Sequence, residues 1–157
     1  MIKLRRRRLE KRTDYKARLA LLKFKKARLV ARKTNKHIIV QIVETKQAQD
    51  RVITGLTSQV LLEKGWPKNG SGSLKNKAAA YLVGFLIGKI AQEKGVKSAI
   101  FDIGMHRNIH KSRLYAILKG AIDAGLDIQH SKEVLPSNEE IQKNEKFRNI
   151  IHKITKE

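Results

Sequence analysis

The chain has no cysteine, two prolines and few aromatic residues, which make up 5% of its 157 positions. Without cysteine, disulfide bonds and thiolate metal sites are excluded. Long apolar runs are missing too. The longest nearly apolar stretch, Ala78–Ala91, contains Lys89 and is too short to span a bilayer. Because no apolar stretch follows the N-terminal charges, we find no signal peptide and expect a cytoplasmic protein.

Acidic residues are scarce in comparison with basic ones. The sequence has 14 Asp and Glu against 35 Lys and Arg, which gives a net charge of +21 and a pI near 10.5. The positive charges repel one another in a compact protein, so we expect an anionic partner to neutralise them. Nucleic acid is the usual partner, and an anionic membrane surface is the alternative. The low aromatic content favours recognition of folded RNA shape over stacking on single strands.

The positive charge is concentrated near the N-terminus. Residues 1–36 carry 16 Lys and Arg but only two acids, so most of the excess lies in a small part of the chain. We predict that residues 1–12 form a basic arm that has no core of its own and becomes ordered on binding. The basic side chains of this arm are Arg5, Arg6, Arg7, Arg8, Lys11 and Arg12.

The stretch Ala27–Glu44 is predicted to be a hairpin of two strands with a turn at Thr34–Lys36. β-Branched residues dominate its second half and favour strand structure. Arg28 and Arg32 lie four residues apart on one strand, so they share a face. The residues expected to hold the hairpin to the core are Leu29, Ile38, Val40 and Ile42.

A short helix is predicted before the hairpin, because Thr13 and Asp14 are suited to cap it. Its core-facing residues are expected to be Tyr15, Leu19 and Leu22, and its cationic side carries Lys16, Arg18 and Lys23.

After the hairpin, Arg51–Ser58 is predicted to complete an antiparallel meander, and the mostly apolar Ser98–Ile103 is expected to be a central strand. Helices are predicted at Leu74–Lys94 and from Ser112 to about Ala124. The sequence therefore predicts a single α/β domain at residues 13–141, with a small mixed sheet backed by helices. The basic arm precedes this domain, and residues 142–157 follow it as a C-terminal tail.

Between the meander and the long helix, the segment Trp66–Ser73 is a loop by composition. Trp66, Lys68 and Asn69 are candidates for RNA contact there. A tryptophan that caps the edge of the core is an equally good interpretation of Trp66.

Three acids raise the alternative of a metal-dependent nuclease. Asp102 ends a predicted strand, and it would need Asp50 and Asp123 to converge with it around two metal ions. The predicted turn at Asp50 and helix end at Asp123 do not favour this convergence. His106 and His110 have the spacing of a zinc-binding helix, but the general-base Glu between them is missing. A general nucleic-acid-compacting protein is a second alternative.

Five segments, in this order and spacing, resemble the large-subunit ribosomal protein family numbered eighteen in its archaeal and eukaryotic-type form. They cover most of the chain up to about Ile141. The segments are RRRRLEKRTDYKARL at 5–19, RLVARKTNKHIIVQIVE at 28–44, NKAAAYLVGFLIGKIA at 76–91, FDIGMHR at 101–107 and SRLYAILKGAIDAGLDIQHSKEVLPSNEEI at 112–141.

The resemblance implies an α/β fold and a structural protein that is not an enzyme and has no cofactor, membrane partner or small-molecule substrate. The family binds 5S rRNA, contacts the large-subunit rRNA, and neighbours another 5S rRNA-binding protein in the central protuberance of the large ribosomal subunit. We expect the same partners and location here.

The expected RNA-binding residues follow from the matching segments. Lys16 is added from the cationic side of the predicted helix. The family's basic leader maps to the arm and to Tyr15 and Arg18, its strand-turn signature to Arg28, Arg32, Asn35, Lys36 and His37, and its post-strand loop to His106, Arg107, Lys111 and Arg113.

Overall fold

A computed structural model of the chain describes residues 9–10, 13–47, 49–67, 73–142 and 145–156. It has a four-stranded mixed sheet with helices packed on it, which confirms the predicted α/β class. In chain order the elements are α1 (Tyr15–Leu22), β1 (Ala27–Lys33), β2 (Ile38–Lys46), β3 (Gln49–Thr57), α2 (Val60–Glu63), α3 (Lys77–Glu93), β4 (Ala99–Asp102), α4 (Arg113–Asp123), a 3₁₀ turn (Lys132–Val134), α5 (Asn138–Ile141) and α6 (Glu145–Lys156).

The strands lie in the order β3-β2-β1-β4. Antiparallel pairs join β1 to β2 and β2 to β3, so the predicted meander is confirmed. Strand β4 pairs with β1 in parallel. It therefore lies at an edge of the sheet, and the prediction of a central strand is wrong. Its apolar side chains still pack on the core, with Ala99 buried in it and Phe101 and the following Ile103 against it. The segment after α4 pairs with the start of β4, since the Ala99 amide donates to the Asp127 carbonyl at 3.0 Å.

One face of the sheet packs on α3 and forms the core with it. The four hairpin residues predicted to face the core are all fully buried on this side, as strand alternation requires. Asn76 caps the N-terminus of helix α3, because its side-chain oxygen accepts from the Ala79 amide at 2.7 Å. Glycines bring α3 and α4 very close together, because a Cβ at Gly84 would collide with the Ile117 carbonyl oxygen.

The C-terminal segment belongs to this core. Helix α6 buries Phe147, Ile151 and Ile154, and the Phe147 ring stacks on Trp66 with 4.5 Å between ring centroids and 3° between planes. Residues 145–156 thus pack on the domain and do not extend away from it as a tail.

Helix α1 differs from its prediction. Asp14 caps it as expected, with Oδ1 accepting from the amides of Lys16 and Ala17. None of its side chains is buried, however, and Leu19 is 60% exposed. The expected core-facing stripe is therefore wrong, because α1 lies over the sheet face opposite α3. None of the described helices is long and apolar enough to cross a membrane.

Candidate nucleic-acid interface

The sheet face opposite α3 carries the charged residues of β1. Strand alternation places Arg28, Val30 and Arg32 on this outer face. Helix α1 crosses it, and a groove of about 580 Å³ lies between the helix and the strands. Apolar side chains, among them Phe24 and Phe101, line the groove together with the arginines. This face is where the predicted site residues of α1 and β1 meet.

Arg28 lies at the centre of an ion-pair network on this face. Its side chain is only 4% exposed, and its Nη1 donates to Asp102 Oδ2 at 2.7 Å. Its Nη2 donates to Asp50 Oδ1 at 2.9 Å and to the Thr45 hydroxyl at 3.2 Å. A buried guanidinium needs such partners, because burial of an unpaired charge is costly. The expectation that Arg28 contacts RNA is therefore corrected: it is a structural residue inside the domain.

Asp50 extends this network to helix α1. Its Oδ2 accepts from Arg18 Nη2 at 2.7 Å, and its Oδ1 accepts from the Thr45 hydroxyl as well as from Arg28. Partial burial acts to raise the pKa of Asp50, but the Thr45 hydroxyl and the two guanidinium groups outweigh it and hold the pKa below its usual value. Arg18 remains partly exposed while it makes this contact.

Asp102 connects the network to the loop that follows β4. Its Oδ1 accepts from Arg32 Nη2 at 3.1 Å and from the Gly104 amide at 2.8 Å. Arg32 Nη1 also donates to the Asp102 and Ala31 carbonyls, both at 2.8 Å. Gly104 has φ +60, and a Cβ there would press on the Arg32 guanidinium. Arg32 is 38% exposed, so it both holds the loop and reaches the surface.

These contacts also argue against a metal-dependent nuclease. Both oxygens of Asp102 and both of Asp50 accept from guanidinium, amide or hydroxyl donors, so neither carboxylate offers an open metal ligand. Asp123 lies elsewhere and accepts from the Tyr81 hydroxyl at 2.9 Å. Among the described residues no three acids or histidines gather into a metal-binding group.

The turn between β1 and β2 is held rigidly. The Thr34 amide and hydroxyl donate to the His37 carbonyl, and the His37 amide donates to the Thr34 hydroxyl, all at 2.9 Å. The buried Ser58 hydroxyl accepts from the Ile38 amide at 3.1 Å and fixes the start of β2. Asn35 and Lys36 remain exposed at the tip, as the prediction requires, and His37 is half-buried.

The loop after β4 lies beside this turn. Because β1 and β4 are parallel, their carboxyl ends meet at the same edge of the sheet. His106 joins the two segments, since its Nε2 accepts from the Lys33 amide at 3.0 Å. Burial, with Arg32 and Lys33 nearby, lowers the pKa of His106. His106 is thus a neutral acceptor at pH 7 and not a cationic phosphate contact.

The remaining predicted cations of this loop are exposed. Arg107, Lys111 and Arg113 all present their side chains to solvent. The name basic edge is used below for Lys36 and Arg107, which lie on the two segments that the hydrogen bond between Lys33 and His106 joins. Lys111, whose amide donates to the Val134 carbonyl at 2.9 Å, and Arg113, at the start of α4, lie further along the chain. Lys33, which the prediction omitted, is exposed as well; its place at the end of β1, directly before the turn, was the sequence signal for it.

Other predicted residues fall apart from this edge or outside the described residues. Trp66 is 2% exposed and stacked on Phe147, so its assignment to RNA contact is corrected in favour of a core role. Lys16 is exposed and Tyr15 half-buried on α1. Predictions that lie outside the described residues are those on Arg5, Arg6, Arg7, Arg8, Lys11, Arg12, Lys68 and Asn69.

Sequence reasoning missed Asp50 as the acid that joins α1 to β1. Arg28 lies on a predicted strand between Ala27 and Leu29. A basic residue between apolar neighbours was the available signal that an acidic partner is needed. No local pattern shows which acid supplies it, because Asp50 is 22 residues from Arg28 and Asp102 is 74 residues away.

An α/β domain with exposed cations at one edge of its sheet, and with Asp50 and Asp102 paired to guanidinium groups, has the features of a nucleic-acid-binding protein. Comparison with known proteins identifies the family within this class. Residues 1–95 and 87–131 match the family described as ribosomal large subunit proteins 60S L5 and 50S L18, and the chain belongs to that family.

Several curated relatives carry the name large ribosomal subunit protein uL18. The chain is 49% identical to the one from Korarchaeum cryptofilum over 90% of its own length and 70% of the relative's. For Aeropyrum pernix the identity is 44% over 87% of this chain and 63% of the relative. For Methanospirillum hungatei it is 46% over 85% and 74%.

Membership confirms the family resemblance and the archaeal-type pattern found in the sequence. It also confirms that the chain is a structural ribosomal protein and not an enzyme. The expected location, the large ribosomal subunit in the cytoplasm, follows from the same membership.

Proposed function

We propose that the chain binds 5S rRNA and helps to attach it to the large-subunit rRNA in the central protuberance, beside another 5S rRNA-binding protein. The observation that carries the proposal is the basic edge. Two exposed cationic segments, the β1–β2 turn and the loop after β4, are fixed side by side through the hydrogen bond from Lys33 to His106. Cations held in a fixed arrangement lose less entropy on binding than flexible ones.

The basic edge and the arm have different roles in this proposal. The arm at residues 1–12 supplies much of the charge, which raises affinity for any RNA. The basic edge supplies position, because phosphate contacts from a rigid surface fix the orientation of the RNA on the protein. The side formed by α3, α4 and α6 then faces the large-subunit rRNA or a neighbouring protein.

A filter-binding titration of 5S rRNA at several salt concentrations tests the role of the basic edge. Each lost phosphate contact should reduce the slope of log affinity against log salt by roughly 0.7–0.9. We expect Lys36→Ala and Arg107→Ala each to weaken binding and reduce this slope. Lys153→Ala is the matched control, because Lys153 is exposed on α6, away from this edge. Equal effects of Lys36→Ala and Lys153→Ala would contradict the proposal.

Deletion of residues 1–12 tests the arm in the same assay. We expect a lower affinity and a flatter salt dependence. Competition with duplex DNA of equal length distinguishes 5S rRNA recognition from general nucleic-acid compaction, since recognition of RNA shape requires a preference for the RNA. Unchanged affinity after the deletion, or equal competition by DNA, would overturn the corresponding part of the proposal.

A further inference from the structure

Helix α1 needs support from the rest of the domain. It has eight residues, none of them buried, and a helix of this length is not stable alone in water. Apolar side chains of α1, including Leu21, face the groove, and Arg18 reaches across to Asp50 at 2.7 Å. The Arg18–Asp50 ion pair thus links α1 to the sheet.

Asp50 is held in place independently of α1. Arg28 and Thr45 both donate to its Oδ1, at 2.9 and 2.6 Å, which leaves Oδ2 directed at Arg18. Exposed ion pairs usually contribute little, partly because two flexible side chains must be ordered together. Here one partner is already ordered, so Arg18 alone loses freedom when the pair forms.

The same network reaches the loop after β4. Arg28 links Asp50 to Asp102, and Asp102 accepts from the Gly104 amide and from Arg32. One buried guanidinium therefore joins the acid that holds α1 to the acid that holds the loop bearing Arg107. The sequence places the basic residues 1–12 directly before α1, so the position of α1 sets where that segment starts from the domain.

We propose that Asp50 is a positioning residue for RNA binding: it does not contact RNA, but fixes α1, the helix that the basic residues 1–12 precede in the sequence, relative to the basic edge. This inference rests on the proposed function. It predicts a change in RNA affinity opposite to the one that net charge alone predicts. Removal of an acid from a protein that binds a polyanion should strengthen binding by simple electrostatics. Removal of Asp50 should instead weaken it, because cations that are no longer positioned make fewer phosphate contacts.

Glu44 provides a matched control. It lies on β2, its side chain is 40% exposed against 31% for Asp50, and its ion pair is with Lys46 at 3.5 Å on the same strand. Asp50→Asn and Glu44→Gln each remove one negative charge and keep the size of the side chain. They differ in their partners: Asp50 pairs with Arg28 on the sheet and with Arg18 on α1, whereas Glu44 pairs with neither.

The experiment measures two properties of the full chain. Hydrogen exchange of the α1 amides in the free protein measures how firmly α1 is held on the sheet. Filter binding of 5S rRNA across salt concentrations measures the affinity for RNA and its salt dependence. For Asp50→Asn we expect faster exchange in α1, with β1 and β2 unchanged, together with about five-fold weaker binding, at the low end of typical coupling between sites, and a smaller salt slope. Asp50→Glu keeps the charge and should recover part of both properties. Glu44→Gln should leave α1 exchange unchanged and bind equally or more tightly.

The outcomes are separable. If the wild type does not prefer 5S rRNA, the proposed function fails, whatever α1 does. If it does prefer 5S rRNA but Asp50→Asn binds as Glu44→Gln does, the positioning role is overturned while the function stands. Faster exchange throughout the β1–β2 hairpin in Asp50→Asn would also overturn it, because Asp50 would then be a general stability residue.

Discussion

The Lys33 amide donates a 3.0 Å hydrogen bond to Nε2 of His106, which joins the end of β1 to the loop after β4. This bond requires an unprotonated Nε2, since an imidazolium has only donors. Burial is the main cause of the lowered pKa of His106, and the nearby Arg32 and Lys33 charges add to it. The geometry of the basic edge is therefore linked to pH.

Stability should fall as the pH is lowered below the ordinary histidine range. Folding lowers the pKa of His106, so the unfolded chain binds more protons between its own pKa, about 6.5, and the lower folded value. The free energy of unfolding must then decrease as pH falls through this window. Urea titrations at pH 7.5 and at pH 5 measure the change. We expect His106→Gln to show less of this loss, whereas His110→Gln, in the same loop but exposed, should retain it.

Substitution of Arg28 should be strongly destabilising. Arg28→Met leaves Asp102, whose side chain is 8% exposed, without its 2.7 Å partner. Loss of one member of a buried ion pair costs about 3–5 kcal/mol. Arg28→Lys should be better tolerated but still destabilising, because an ammonium cannot bridge two carboxylates as a planar fork does. Chemical denaturation checks both variants, and a loss below about 1 kcal/mol for Arg28→Met would contradict the network described here.

Substitution of Gly84 in α3 by alanine should destabilise the protein, although alanine has the higher helix propensity. Alanine is favoured over glycine in a helix interior by about 1 kcal/mol. At Gly84, however, the new Cβ would strike the Ile117 backbone, which only movement of α4 can relieve. We expect a net loss of about 2 kcal/mol, within the usual range for overpacking. Gly55→Ala is the control, because its Cβ would meet the movable side chain of Gln41 at 3.1 Å. A stabilised Gly84→Ala would show that the helices are not in close contact.

The contact between Trp66 and Phe147 can be followed by fluorescence, because the chain has one tryptophan. Phe147→Ala removes the ring stacked at 4.5 Å and should cost about 3–5 kcal/mol. Trp66 emission should move to longer wavelength as water reaches the indole. Phe24→Ala, at a residue 65% exposed, should change neither property. Emission of the wild type that already resembles free tryptophan would be incompatible with a buried Trp66.

Local patterns predicted the hairpin well. The β-branched run of Ile38–Val43 and the polar turn before it are properties of neighbouring residues, so they can be found without knowledge of the fold. Leu29, Val40 and Ile42 are fully buried for the same reason, since alternation along a strand follows from backbone geometry.

The candidate site was less predictable, because it depends on pairings between distant parts of the chain. The sequence places Arg28 and Arg32 on one face, but whether a guanidinium is buried depends on Asp50 and Asp102, which only the sheet order brings near. Trp66 shows the same limit, since its burial depends on Phe147 in a segment with weak periodicity.

The stacked rings of Trp66 and Phe147 also bear on the order in which the domain can be completed during synthesis. The sheet, α3 and α4 leave the ribosome before α6, yet Phe147, which stacks on the Trp66 ring, lies 81 positions later in the chain. Until that residue emerges, the strongly basic nascent chain leaves part of the Trp66 ring uncovered, in surroundings rich in RNA. A chain truncated after residue 142 reproduces this intermediate, and we expect proteases to cut it near Trp66 faster than the full chain.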